Sequence, residues 1–317
     1  MIFHKDIEEV YKAQLFVRCD DIGIAHYFSH KDFEGLNANR YEFLSSKGNR
    51  LVGYFYSYNG YDDGNLIVFD HGFGGGHRSY MKEIEKLCSF GYRVFAYDHT
   101  GCMESDGEDT GGLCQSLSDL NDAINVLKSD DKVDTDDITV MGHSWGGFST
   151  LNVSALHDNI KKIVVLSGFI SVRQMTEQNF RGFLRLYAND IIRLEGRSNP
   201  EFVSYDAIDT LYNSKVKALL IYSDNDQLVT KKYHFDPLFK ALNHKENIKF
   251  ILEYDKEHNP NYTYEAVKLL AEYTGAVHNA IKMSPSDKER FRASFDWDKM
   301  TEQDEAVWQK IEEFLKK

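Results

Sequence analysis

Four short runs in this chain, LIVF at 66–69, ITVM at 138–141, IVVL at 163–166 and ALLIY at 218–222, are apolar at nearly every position. A strand with one wet face alternates apolar and polar residues. A run without alternation must be covered on both sides, as in a parallel sheet held between layers of helices. Parallel neighbours need crossovers of a dozen or more residues, and helical patterns over 79–90, 117–128, 145–156, 231–242 and 262–281 supply them. Further strands are expected at 41–44, 51–58, 93–97 and 249–253. The first two of these read as a hairpin around Lys47-Gly48-Asn49, with antiparallel strands at one edge. The expected fold is α/β: a mostly parallel eight-stranded sheet with helices on both faces.

The rhythm breaks over 171–213, a long amphipathic, aromatic stretch between two buried strands. It reads as a helical cap over the sheet, with Phe169, Phe180, Phe183 and Tyr187 expected mainly in its core and some of them at a pocket. Residues 1–40 read as an N-terminal extension and 285–317 as a C-terminal helical extension to one domain spanning 41–317. Both extensions are expected to lie away from any pocket under the cap. Within the second, Thr301-Glu-Gln-Asp304 reads as a helix start.

Gly142-His143-Ser144-Trp145-Gly146 is a G-x-S-x-G, a pattern expected by chance roughly 0.1 times in a chain of this length. Its context is more telling than the pattern: it follows a buried strand and opens a helical stretch. Such a strained strand–turn–helix presents a serine hydroxyl above a sheet, and the flanking glycines avoid the clashes that side chains would cause. A second glycine loop, His71-Gly72-Phe73-Gly74-Gly75-Gly76-His77, directly follows another buried strand. A dinucleotide fold also places a glycine loop there, with Asp98 available as its acid, but its fingerprint needs glycine where His77 stands. Upstream of a serine turn, the loop is better read as a backbone N–H donor to a developing oxyanion.

The HGFGGG loop, the GHSWGG turn and the strand order together resemble the α/β-hydrolase superfamily over roughly residues 45–282. The resemblance implies a serine hydrolase with Ser144 as nucleophile and the backbone N–H groups of Phe73 and Trp145 as oxyanion donors. It implies an acid after the next-to-last strand, where Asp226 fits a D-x-x-V pattern and Asp224 is the rival. It implies a base after the last strand, His258, so the chain order Ser144, Asp226, His258 is the one this family uses. Asp98 to Ser105 is similar to the family's D-x-R-G-x-G-x-S turn, but has Thr100 for arginine and Met103 for glycine. Of the other histidines, His71 and His143 are expected to pack or hydrogen-bond the loop and the elbow. His234 and His244 are expected to flank a surface helix, and His278 to lie within one.

The net charge of −13, from 50 acidic and 37 basic residues, together with basic runs no longer than pairs, argues against nucleic acid and anionic membranes as partners. The amino terminus carries acids where a signal peptide would be apolar. Four cysteines without CxxC or metal spacing fit a reduced, cytoplasmic protein. The chemistry needs no metal and no cofactor. The expected partner is a small-molecule ester, with an acyl or aryl group of small or medium size. Amidases, peptidases and thioesterases share the same machinery, and a catalytically silent binding protein on the same scaffold is the alternative from another class.

Overall fold

The computed structural model describes residues 4–58 and 65–317. The chain opens with α1 (His4–Leu15), β1 (Leu36–Leu44), β2 (Arg50–Tyr58), β3 (Leu66–Asp70), α2 (Met81–Ser89), β4 (Arg93–Tyr97) and α3 (Gln115–Ser129). The elbow region follows as β5 (Ile138–His143), α4 (Ser144–Val153) and β6 (Ile160–Leu166). Between β6 and β7 (Lys217–Ser223) lie α5 (Val172–Asn179), α6 (Ala188–Ser198) and α7 (Ala207–Asn213). The chain closes with α8 (Phe235–Leu242), β8 (Ile248–Glu253), α9 (Tyr264–Ala280), α10 (Pro285–Ala293), α11 (Trp297–Met300) and α12 (Glu305–Leu315).

The strands form one eight-stranded sheet in the order β1-β2-β4-β3-β5-β6-β7-β8. Only β2 runs against its neighbours, pairing antiparallel with β1 and β4; the rest of the sheet is parallel. The strand order reverses around β3, which puts a crevice at the carboxyl ends of β3 and β5, where open α/β sheets bind ligands. Alternate residues of the central strands go to opposite faces. Val68 and Val140 join the core beneath α3, α4 and α8, whereas Ile67, Phe69 and Met141 join the one beneath α2 and α12. Among the described residues, no helix is long and apolar enough to cross a membrane.

Several boundaries differ from the sequence expectation. Strand β1 begins at Leu36, not 41, and so takes in part of the supposed N-terminal extension. Its Leu-Asn-Ala-Asn-Arg start has poor strand propensity, but pairing along the whole length of β2 overrides it. Helix α8 starts at Phe235 instead of 231. Pro237 lacks an amide hydrogen and so suits a first turn, while Tyr233 and His234 both donate to the Thr230 carbonyl in a preceding turn. His234 is fully buried, not on a surface helix: its Nδ1 accepts from the Ile170 amide at 3.3 Å. The turn after β4 keeps its shape despite its departures, because Ser105 Oγ donates to the Asp98 carbonyl at 2.6 Å and Met103 takes the left-handed conformation that a glycine would (φ 42°).

The C-terminal segment belongs to the core. Helix α12, capped by Asp304, buries Val307, Trp308, Ile311 and Phe314 against the sheet. Removing the Trp308 ring would leave a large void, since such a site relaxes only partly. Trp308→Ala is expected to lower the free energy of unfolding in urea by about 3–5 kcal/mol. A loss below 1 kcal/mol would mean that the segment is an appendage.

Candidate active site

Ser144 stands at the tip of β5, as the first residue of α4, with a left-handed backbone (φ 56°). A serine held there is strained by about 1–3 kcal/mol. The surroundings enforce it by close approach: a Cβ on Gly142 would run into the Gly146 carbonyl, and one on Gly146 into the Asp70 carbonyl of β3. Both glycines are therefore required by packing. The serine side chain is thereby lifted off the sheet at the floor of a cavity.

The next amide is that of Trp145, in the first turn of α4, where amides have no partner inside the helix. Its indole is buried and donates from Nε1 to the Leu113 carbonyl at 2.7 Å, which fixes the residue's orientation. Across from it, the glycine loop is pinned on both sides of Gly72. The Gly72 amide donates to Tyr80 Oη at 3.1 Å, and the Gly72 carbonyl accepts from His71 Nδ1 at 2.8 Å. Carbonyl and amide point opposite ways across a trans peptide, so this contact turns the Phe73 amide away from His71. The Phe73 and Trp145 rings meet edge to face at 5.4 Å, and both line the cavity with Ser144.

Asp226 follows β7 and is buried. Its Oδ1 accepts from the Leu228 and Val229 amides at 2.8 and 2.9 Å, leaving Oδ2 for His258 Nδ1 at 2.7 Å. That bond puts the imidazole hydrogen on Nδ1 and leaves Nε2 with a free lone pair. Asp224 is engaged elsewhere, accepting from the Asp255 amide at 3.0 Å. It ties the Asp226 loop to the His258 loop, in which Asp255 and Glu257 both have positive φ (55° and 46°). Beneath that loop, buried Lys256 pairs with Asp304 at 2.6 Å, so the C-terminal segment braces the His258 loop from behind although it lines none of the cavity. His258 makes no hydrogen bond to Ser144; its contacts run to Asp226 and, through its carbonyl, to His143 Nε2 at 2.8 Å. Contacts of this kind are often loose in an empty site and tighten with substrate.

His143 completes a chain that the sequence does not announce. Its Nε2 hydrogen goes to the His258 carbonyl and its Nδ1 accepts from Tyr80 Oη at 2.8 Å, while Tyr80 in turn receives the Gly72 amide. One line of hydrogen bonds thus joins the glycine loop, the elbow and the His258 loop. Tyr80 lies eight residues beyond Gly72 in no motif, so only the fold reveals its part. Behind the elbow, buried His99 sits between Asp70 at 3.1 Å and Asp119 at 3.4 Å. Burial works against its charge, but the two carboxylates overcome this and push its pKa up to about 10.

The cavity above Ser144 has a volume of about 500 Å³. Met175, Phe180 and Leu184 from the 171–213 segment form its roof, Phe169 lies in its wall, and Phe183 faces solvent. The N-terminal extension was expected to lie elsewhere and does not: Ile7, Val10, Tyr11 and Leu15 of α1 form another wall. Among the described residues, no charged side chain lines the cavity. A larger recess of about 570 Å³, between the end of α4 and α7, is open and lined by Asp206 and Asp209, and touches none of these loops.

Burial, helped by the nearby His258, lowers the His143 pKa from 6.5 to about 3. The unfolded chain therefore binds a proton near pH 6.5 that the folded protein refuses until about pH 3, and the contribution of His143 to stability falls as pH drops through that window. In an NMR titration of labelled histidines, the His143 ring is expected to hold its neutral shifts from pH 8 down to about 4.5. Titration near 6.5 would contradict the neutral, hydrogen-bonded ring.

Comparisons with known proteins agree with this geometry. Residues 65–202 match a family described as the alpha/beta hydrolase fold, a span that holds the glycine loop and the elbow but stops short of Asp226 and His258. The chain is 26% identical over 227 residues to the uncharacterized protein YfhR of Escherichia coli strain K12, covering 70% of this chain and 74% of that one. It is 28% identical over 165 residues to a proline iminopeptidase of Saccharolobus solfataricus, covering 49% of this chain and 51% of that one. Among solved structures, the Pyrococcus furiosus esterase Pf2001 superimposes with a TM-score of 0.59 at 17% identity, over 88% of this chain and 98% of that one. An acetyl xylan esterase from Paenibacillus sp. R4 gives 0.57 at 17% identity, over 88% and 92%. Sheet order, elbow and family match together show the α/β-hydrolase fold.

Proposed function

We propose that the protein is a serine hydrolase that cleaves a carboxylic ester, with a small or medium acyl or aryl group, through an acyl-enzyme. The observation that carries this reading is the 2.7 Å Asp226–His258 bond beside a cavity floored by Ser144. Ser144 Oγ attacks the ester carbonyl while its proton passes to His258 Nε2. Asp226 stabilises the imidazolium and holds its orientation. The oxyanion is received by the Phe73 and Trp145 amides. As the tetrahedral adduct collapses, its bond to the leaving oxygen breaks and His258 returns the proton to the alcohol. Water, deprotonated by the same histidine, then releases the acid and regenerates Ser144.

The cavity lining favours an ester over a peptide. An aminopeptidase must seat a free ammonium group, and among the described residues no carboxylate lines this cavity to offset its desolvation. The same lining favours hydrophobic acyl or aryl groups. The reading extends to a reducing compartment, the cytoplasm, because the four cysteines show no CxxC or metal spacing.

Ester hydrolysis by purified variants tests this reading. Ser144→Ala is expected to be inactive with unchanged circular dichroism, and His258→Ala to lose at least about a thousandfold in kcat. Asp226→Asn should lose far more than Asp224→Asn, whose carboxylate only ties two loops together. Activity within tenfold of wild type in Ser144→Ala would overturn the proposal, and the opposite ranking of the aspartates would move the acid's role to Asp224.

A further inference from the structure

Two exposed large apolar side chains line the same cavity as Ser144. Val10 of α1 is 57% exposed and Leu228, in the Asp226 loop, 63%. Exposed apolar groups scattered over a surface need no explanation. A pair at one concave site, joined to Ser144 by a lining without charge among the described residues, marks a surface that a ligand covers. Helix α1 is only 12 residues long, too short to be stable alone in water, so its docking is what makes it a helix.

That docking is specific. Tyr11 is buried among Ile191 and Leu194 of α6, and its hydroxyl donates to the buried Glu195 carboxylate at 2.7 Å. Glu195 Oε1 also accepts from the Leu113 amide at 3.0 Å, and Leu113 supplies the carbonyl that holds the Trp145 indole. Arg197 and Glu8 add an exposed pair at 2.8 Å. The helix is therefore fastened through one carboxylate to both the cap and the loop behind Trp145, with Val10 left facing the cavity mouth.

We infer that helix α1 is the wall that selects the substrate's acyl group, and that the group it selects is an uncharged, apolar acyl chain long enough to run from Ser144 to Val10 and Leu228. The inference rests on the reading of Ser144 as nucleophile. Each methylene moved from water onto such a wall raises kcat/KM by at most roughly fourfold. Because the gain comes from binding, it enters mainly through KM. The preference therefore climbs with chain length until the chain passes the mouth, then declines, because the protruding part gains no burial while its ordering still costs conformational freedom.

The test is a series of p-nitrophenyl esters from acetate to dodecanoate, with the wild-type protein, Val10→Trp and Val10→Ala, each checked by circular dichroism. The wild type is expected to gain in kcat/KM from acetate to a medium-chain optimum. Val10→Trp narrows the chamber and should move that optimum to shorter chains, with the octanoate-to-acetate ratio falling at least tenfold. Val10→Ala suits an exposed helix position and keeps the test alive if the tryptophan variant does not fold; it should move the optimum to longer chains. A wild-type profile that falls steadily from acetate overturns the inference, as does a folded Val10 variant whose profile matches the wild type. Ser144→Ala run alongside separates the two claims. If it is inactive while the profiles do not move, only the wall is lost; if it remains active, the nucleophile is wrong.

Discussion

The left-handed turn at Ser144 is the constraint on which the rest of this structure depends. It exists because β3 and β5 lie side by side and α4 presses into their carboxyl ends so closely that Gly146 nearly touches the Asp70 backbone. That contact lifts the serine side chain off the sheet and turns the first-turn amides of α4 toward the cavity side. It also sets the place to which every other loop must bring its group. The strain at one residue, about 1–3 kcal/mol, is small beside the burial of Trp145, Phe148 and Leu151, which hold α4 down.

Around that point the loops are joined by polar contacts more than by apolar packing. Gly72, Tyr80, His143 and the His258 carbonyl form one line of hydrogen bonds, Asp224 and Asn225 clasp the Asp255–Glu257 backbone, and Lys256 reaches down to Asp304. Buried polar groups are costly unless satisfied, but when satisfied they fix a single geometry. The site is therefore held by the loops' mutual bonds, with the sheet as the common base. A neutral His143 is essential to this arrangement: a protonated ring would have no lone pair for the Tyr80 hydroxyl.

The parts of this design that could be read in the sequence are those where one residue type has one physical use. Near-continuous apolar runs demanded strands covered on both faces, and G-x-S-x-G after such a run demanded an elbow. The contacts that could not be read join residues far apart in the chain. Tyr80 with His143 and Lys256 with Asp304 depend on loop geometry that no local pattern encodes. Strand β1 was cut short because its asparagines argue against a strand and only the partner β2 makes them one. Residues 1–40 read as an extension away from the pocket, whereas α1 forms one of its walls, a placement that depends on contacts with α6 far along the chain. Asp224 and Asp226 stand two residues apart in one loop; the D-x-x-V pattern favours Asp226, and the loop turns it, not Asp224, toward His258.

The central claim is that Ser144 is an activated nucleophile. The most direct measurement is covalent capture: incubation of the native protein with a fluorophosphonate, followed by intact mass and peptide mapping, with His258→Ala as the comparison. The expected result is a single phosphonyl adduct on Ser144, formed quickly in the native protein and far more slowly in the variant. No adduct, or one on another residue at a rate indifferent to His258, would contradict it.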